Sequence, residues 1–323
     1  MTSSNTMWQS TASMDAVRAR AAMYAQVRMF FSKGSVLEVE TPLLCSTTAM
    51  DPYLDSFSLS CGRFLQTSPE FPMKRLLASG SGPIYQISKA FRQDEESSRH
   101  NPEFTLLEWY QPGYSLLQLQ EELLALLFLL ADGSLVVSWG RDSVTCRTYA
   151  EMFESVVGLC PHTCTVDALA KVAKRETGFD GELTRDSWLD LLMSHVVEPT
   201  MPSGLLVLTD FPEGQAALAE IAPDERGRDV ARRLELYIDG VEVANGYQEL
   251  TDGAEQKRRF EADNKQRLAN GVAQLPIPEH LVSALYAGMP ATSGIAVGLD
   301  RLLMKLMGKQ QLSDVICFPW ERA

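Results

Sequence analysis

The dipeptide Asp239-Gly240, set between the apolar-rich runs 234–238 and 241–244, leaves this stretch little choice but a β-hairpin with a two-residue turn. In such a hairpin Tyr237 stands opposite Glu242, so Glu235 shares their face and lies diagonal to Glu242, roughly 7–8 Å away. Two carboxylates converging there repel one another unless a cation sits between them, and Mg²⁺, a hard ion preferring oxygen, is the natural occupant. A solvated acidic face is the competing reading of the same two residues. Glu249 lies seven residues beyond Glu242, which strict alternation would send to the opposite face. A bulge at Asn245-Gly246 shifts that parity by one and returns Glu249 to the same cavity. A carboxylate beside a metal site, but outside its ligand set, can bind an ammonium group.

The pattern elsewhere predicts a helix over 14–32 closed by Gly34, a strand over 36–39 broken by Thr41-Pro42, and a strand over 63–66. Ser68 is a good N-cap with Pro69 at the first helical position, and that helix should end at Gly80. Strands are expected over 83–92 and 103–110 around a polar loop at 93–102, then a leucine-rich helix over 115–131. Residues 134–205 carry weaker signals and read as mostly helical, with His195 an ordinary partly buried histidine. Further helices are expected over 252–270 and 279–287, and a last one from about Asp300. Strands joined by hairpins and loops, rather than alternating with helices, point to an α+β fold with a mainly antiparallel sheet flanked by helices.

With 323 residues, 45% of them hydrophobic, the chain can bury one large core. Its longest uninterrupted apolar run, 123–131, suits a buried helix and is too short to span a bilayer. The first fourteen residues hold seven Ser or Thr and no charge, which is no signal peptide. Residues 1–13 are therefore expected to form a disordered tail. Six scattered cysteines suggest reduced thiols in the cytoplasm. Cys160 and Cys164 bracket His162 but have no second Cys/His pair to complete a zinc site. A net charge of −13 shows no basic footprint for nucleic acid.

Two further segments carry chemistry. Phe91-Arg92-Gln93-Asp94-Glu95 ends one strand, and Arg99-His100-Asn101-Pro102-Glu103-Phe104 enters the next. Arg and His on such a loop suit a polyphosphate, and Phe104 offers a face for a base to stack on. Ser293-Gly294-Ile295-Ala296-Val297-Gly298-Leu299-Asp300-Arg301 reads as a small-residue strand entering a helix, where glycines let a ligand approach the backbone.

These elements fall in the order of the three motifs of class II aminoacyl-tRNA synthetases. Residues 31–44, ending Glu40-Thr41-Pro42-Leu43-Leu44, resemble motif 1 of the dimer interface; 91–110 resemble motif 2 and 294–303 motif 3. Finer details resemble the lysine-specific enzymes: Gln66-Thr67-Ser68-Pro69-Glu70, Leu107-Glu108-Trp109-Tyr110, and Glu242-Val243-Ala244-Asn245-Gly246-Tyr247-Gln248-Glu249-Leu250. The resemblance implies a class II synthetase catalytic fold over 14–323. It gives Arg92 the substrate carboxylate and α-phosphate of ATP, and gives His100 and Arg301 the outer phosphates. Asn101 and Phe104 would take the adenine, with Asp94, Val243 and Gly298 also at the nucleotide. Glu235 and Glu242 match the carboxylates that hold Mg²⁺. Glu249 and Tyr110 match the pair that reads the side-chain ammonium of lysine, with Ser68, Glu70 and Glu108 near the backbone amino group.

Two departures narrow the resemblance. Motif 1 begins too near the N-terminus for the anticodon-binding domain of a lysyl-tRNA synthetase, so none is expected. Ala296 interrupts the motif 3 glycines, and its methyl on the pocket floor would favour an amino group moved one carbon along. Both features resemble the elongation factor P–lysine ligase family, whose members attach (R)-β-lysine to a lysine of elongation factor P. Asp94, where motif 2 more often has Glu, keeps the same role with a shorter reach. The implied enzyme is an ATP-dependent cytoplasmic ligase, homodimeric, with elongation factor P as partner and neither tRNA nor membrane. A synthetase-like enzyme that charges tRNA is the alternative, and a catalytically silent paralogue is a third reading.

Overall fold

A computed structural model of the chain describes residues 7–132, 137 and 139–323. They belong to two compact units, one within Met1–Ser138 and Thr251–Ala323, the other within Trp139–Leu250. The first unit opens with α1 (Met14–Lys33), β1 (Leu37–Glu38), β2 (Leu44–Cys45), β3 (Phe64–Leu65), α2 (Glu70–Ala78), β4 (Ile84–Phe91), β5 (Glu103–Pro112) and α3 (Leu116–Asp132). The second contains β6 (Val144–Thr148), α4 (Tyr149–Val157), α5 (Val166–Thr177), α6 (Arg185–Leu192), β7 (Leu205–Pro212), β8 (Ile221–Pro223), β9 (Asp229–Ile238) and β10 (Val241–Gln248). The chain completes the first unit with α7 (Gly253–Ala269), α8 (Glu279–Gly288), β11 (Thr292–Gly298) and α9 (Leu299–Leu306).

In the first unit β1, β4, β5 and β11 lie side by side; β1 and β4 are parallel, the other pairs antiparallel. Alternation sends Phe104, Leu106, Glu108 and Tyr110 of β5 to one face and Thr105, Leu107 and Trp109 to the other. The second of these faces is packed by helices. Phe31 of α1 stacks on Tyr85 at 4.5 Å and meets Trp109 at 5.3 Å. α1 buries Ala16, Met23, Val27 and Phe31 along one stripe, and its first turn is capped by the Ser13 hydroxyl, which accepts from the Ala16 amide at 3.2 Å. α3 buries Leu119, Leu123, Leu126, Leu127 and Leu130, each contributing about 1.5–3 kcal/mol, so its apolar face outweighs any end effect. Of the tail expected to be disordered, residues 1–6 lie outside the described residues. Thr11 is held to the far end of the chain, its amide donating to the Cys317 carbonyl at 2.9 Å and its hydroxyl to that of Ile316 at 2.7 Å.

The second unit orders its strands β10, β9, β7, β6, with β8 also beside β9; only β6 and β7 are parallel. A parallel pair needs a long crossover, which α4, α5 and α6 supply. Phe153, Leu169, Trp188 and Leu192 from these helices bury against Leu206 and Leu208 of β7. Thr148, Thr165 and Thr184 cap the three helices, and Gly158 and Gly178 close α4 and α5 in the left-handed conformation. The stretch expected to be mostly helical thus also holds β6. That strand has no fully buried residue and lies at an edge, so it left no apolar alternation to read. His195 is exposed rather than partly buried, on a π-helical turn over Met193–Val197. The expected α+β class, mainly antiparallel with flanking helices, is the one that forms.

Candidate active site

In the first unit, cross-strand register assembles a polar row. Glu108 of β5 pairs with Gln86 of β4 on one side and Ala296 of β11 on the other. Tyr110 pairs with Gly294, and Leu106 with Gly298. The Ala296 methyl therefore stands beside Glu108, on the face opposite the Phe31–Trp109 core. Glu108 is 2% exposed, and both its oxygens are engaged: Tyr110 donates to Oε1 at 2.6 Å and Ser68 to Oε2 at 2.8 Å. Burial pushes the Glu108 carboxyl up to about 7, and the charge of Glu70 adds to the effect; Tyr110, Ser68 and Lys74 oppose it. Helix α2 starts at Glu70, one residue later than expected, with Pro69 rather than Ser68 at the cap position. The Ser68 hydroxyl still accepts from the Glu70 amide at 3.0 Å while donating to Glu108.

The loop after β4 carries the cationic part of the same unit. Arg92 lies with its guanidinium 5.1 Å from the Phe104 ring centroid and reaches Glu95 at 3.5 Å. Its Nε is buried without a hydrogen-bond partner among the described residues. Asp94 is exposed in the left-handed conformation at φ 60°, so the acid set against Arg92 is its neighbour Glu95. Arg301, in the first turn of α9, donates to the Arg99 carbonyl at 3.2 Å and to His100 Nε2 at 2.6 Å. Because arginine can only donate, that nitrogen accepts and Nδ1 carries the proton shared with Ser97, 2.8 Å away. Asp300 fixes this arrangement from beneath: it accepts from the Thr105 amide at 2.6 Å and pairs with Arg20 of α1 at 2.6 Å. Asn101 donates to the Glu103 carbonyl at 2.6 Å and accepts from the Trp320 amide at 2.9 Å.

The second unit holds the acidic hairpin. Asp239 and Gly240 both take positive φ, 48° and 67°, as a tight primed turn requires. Glu242 pairs with Tyr237 as expected, but the bulge lies between Glu242 and Ala244, at Val243. Asn245 and Gly246 are in register with Glu235 and Leu234. Gly246 does not take a positive φ, so the Asn-Gly step supplies no left-handed residue to turn a bulge. The parity change arises two residues early and has the same outcome: Asn245 and Tyr247 share the face of Glu242, and Glu249 follows in that alternation. Glu235 is 6% exposed. Tyr237 donates to its Oε2 at 2.6 Å, and Arg233 forms an ion pair with its Oε1. Arg233 also donates to Asn245 at 3.1 Å. Burial pushes Glu235 above the ordinary carboxylate range against the pull of Arg233, with the Glu242 charge raising it further.

The family model described as class II tRNA synthetases (D, K and N) matches residues 4–322. Proteins named elongation factor P–(R)-β-lysine ligase are similar along their whole length. The one from Vibrio cholerae is 43% identical over 99% of this chain and 99% of its own; that from Pseudoalteromonas translucida is 42% identical over 98% and 99%. The Erwinia tasmaniensis protein is 41% identical over 98% of each chain. The chain belongs to the elongation factor P–(R)-β-lysine ligase family.

Within that family, the first unit brings Ser68, Glu70, Glu108, Tyr110 and Ala296 together on one side of its sheet and gathers Arg92, His100, Phe104 and Arg301 around the β4–β5 loop. The second unit brings Glu235 and Glu242 together on one hairpin face. Four participants escaped sequence reasoning. Lys74, Glu95 and Arg233 each answer the charge of a residue already singled out, and Asp300 ties the first turn of α9 to β5 and α1. Spacing held a faint signal for two of them: Lys74 is one helical turn after Glu70, and Arg233 is one strand repeat before Glu235.

Proposed function

We propose that this chain is an ATP-dependent ligase that activates (R)-β-lysine as an adenylate and transfers it to the ε-amine of a lysine on elongation factor P. The observation that carries the reading is end-to-end similarity, at 39–43% identity, to ligases bearing that name. In the first step a carboxylate oxygen of the amino acid bonds to the α-phosphorus as the bond to pyrophosphate breaks. Arg92 and Arg301 neutralise the charge that develops, and the unpartnered Nε of Arg92 is a donor held ready for an anion. In the second step the acceptor nitrogen bonds to the acyl carbon, AMP leaves with the bonding pair, and the nitrogen loses its extra proton. With a reference pKa near 10.4, that amine must be deprotonated before it attacks.

His100, Asn101, Phe104, Val243 and Gly298 are assigned to ATP, with Asp94 beside them. Ser68, Glu70, Glu108, Tyr110 and Glu249 hold the amino groups, and Ala296 shapes the floor next to Glu108. Glu235 and Glu242 suit Mg²⁺: both offer oxygen on one face, and Glu235 is a buried carboxyl whose charged form a hard dication would favour. When bound, that ion supplies positive charge against the phosphates, and Arg233 competes with it for Glu235. Residues 14–323 act as the catalytic domain, in the cytoplasm and as a homodimer formed through motif 1, without tRNA.

Mass spectrometry of purified elongation factor P, incubated with the enzyme, ATP, Mg²⁺ and (R)-β-lysine, tests the reading, with tRNA labelling run in parallel. The expected result is a gain of one lysyl mass on the factor, lost in Glu249→Ala and Arg301→Ala. An unmodified factor beside labelled tRNA would sink the ligase reading and leave a tRNA-charging enzyme.

A further inference from the structure

Beside the polar row of the first unit stands a cation that no motif names. Lys74, on the inner side of α2, is 1% exposed and pairs through Nζ with Glu70 Oε1 at 2.6 Å. An acid and a lysine four residues apart attract one another equally well on an open helix surface. Enclosing the ammonium instead carries a large desolvation cost, and an ion pair kept for stability alone can be replaced by apolar side chains. What distinguishes Lys74 is its company. The charged and titratable groups acting on Glu108 are Tyr110 on its own strand, and Glu70 and Lys74 on α2, with the Ser68 hydroxyl just ahead of that helix. Its register neighbours on β4 and β11, Gln86 and Ala296, carry no charge.

Without a nearby cation, Glu70 and Glu108 repel each other, and Glu108 relieves the repulsion by taking up a proton. A protonated carboxyl no longer offers a full negative charge to an ammonium. We propose that Lys74 is a positioning residue for the amino substrate: its ion pair fixes the Glu70 carboxylate beside Glu108, so that the two acids can receive the substrate's ammonium. The inference rests on the ligase reading and deepens it: the amino group is read by a Glu70–Lys74–Glu108 set whose one remaining negative charge it balances, rather than by two isolated acids.

Pyrophosphate exchange with (R)-β-lysine, measured on the full chain from about pH 6 to about pH 9, tests it. Lys74→Met should raise the KM for the amino acid about fivefold at pH 7 and about tenfold at pH 6, as a one-unit rise of the Glu108 carboxyl from about 7 requires. It should also move the acid limb of kcat/KM for the amino acid to higher pH and leave the KM for ATP nearly unchanged. Lys74→Arg should restore most of the loss. Glu70→Gln, which removes the repelling charge, should move the same limb the opposite way, to lower pH. Equal rises in both KM values, or an unmoved limb with only a lower melting temperature, would mean a structural ion pair and overturn the proposal. If Lys74→Met does not fold, Lys74→Gln, polar and of similar length, carries the same test, and an unmoved limb there is the overturning result. A wild-type chain that exchanges nothing with (R)-β-lysine removes the ligase reading as well, whereas an active wild type with unmoved limbs removes this inference alone.

Discussion

Glu108 lies on β5 with Tyr110 and Ser68 on its two oxygens, yet burial still lifts its carboxyl to about 7 from an ordinary value of 4.5. Between those two values the folded state holds a proton that the unfolded chain has released. Stability from this group is therefore greatest below pH 4.5 and falls as pH rises toward 7, by up to ~3 kcal/mol. Urea unfolding at acid and neutral pH should show a smaller decline in Glu108→Gln than in wild type. Arg301 illustrates the other limit of side-chain chemistry. Its planar fork reaches the Arg99 carbonyl and His100 together, which a lysine cannot reproduce. Steady-state kinetics of Arg301→Lys should show a loss of roughly a hundredfold in kcat/KM for ATP, despite the retained charge.

At the scale of an element, the β9–β10 hairpin joins local turn chemistry to the orientation of four acidic or aromatic side chains. Gly240 sits at φ 67°, and an added Cβ would only touch the Glu198 carbonyl at 3.6 Å. The cost of Gly240→Ala is thus conformational, ~1–2 kcal/mol, readable as a lower urea midpoint with an unchanged slope. Val243 matters differently. Two residues of β10 span one step of β9 there, and that extra residue keeps Asn245 and Tyr247 on the face of Glu242. Deleting Val243 should leave Asn245 opposite Glu235 in plain alternation, whereas inserting one alanine after Ala244 should turn Asn245, Tyr247 and Glu249 to the opposite face and abolish adenylate formation, with the hairpin's far-ultraviolet signature retained. A pyrophosphate-exchange assay beside circular dichroism separates these two effects.

At the scale of the whole molecule, Leu37, Leu43 and Leu44 leave 57%, 40% and 45% of their surface exposed in the motif 1 segment. Apolar residues grouped along one stretch suit a subunit contact. Sedimentation equilibrium should give twice the chain mass of 35.8 kDa, and Leu43→Asp with Leu44→Asp should shift the species toward one chain. The net charge of −13 belongs to this scale as well. It offers no overall attraction to a polyanion, and labelled tRNA is expected to pass through at physiological salt in a filter-binding assay.

Wherever the deciding interaction is local, the residues alone were sufficient. Asp239-Gly240 specifies its turn because only residues tolerant of positive φ fit it, and the period of two then places Glu242 against Tyr237. Gly34 and the leucines of α3 mark their helices for equally local reasons, and the motif strings were enough to point to the family. Tertiary structure decided the rest. Which residue forms the bulge depended on the register of β10 against β9, so Val243 took the role expected of Asn245-Gly246. β6 exists because β7 offers it an edge, not because its own five residues alternate. The partners that balance charge, Lys74 for Glu70, Arg233 for Glu235 and Asp300 for Arg20, had at most a faint signal in their spacing until folding removed the water between them. A charge in water is neutralised by solvent and needs no partner, whereas the same charge enclosed by a fold must be answered by a particular neighbour.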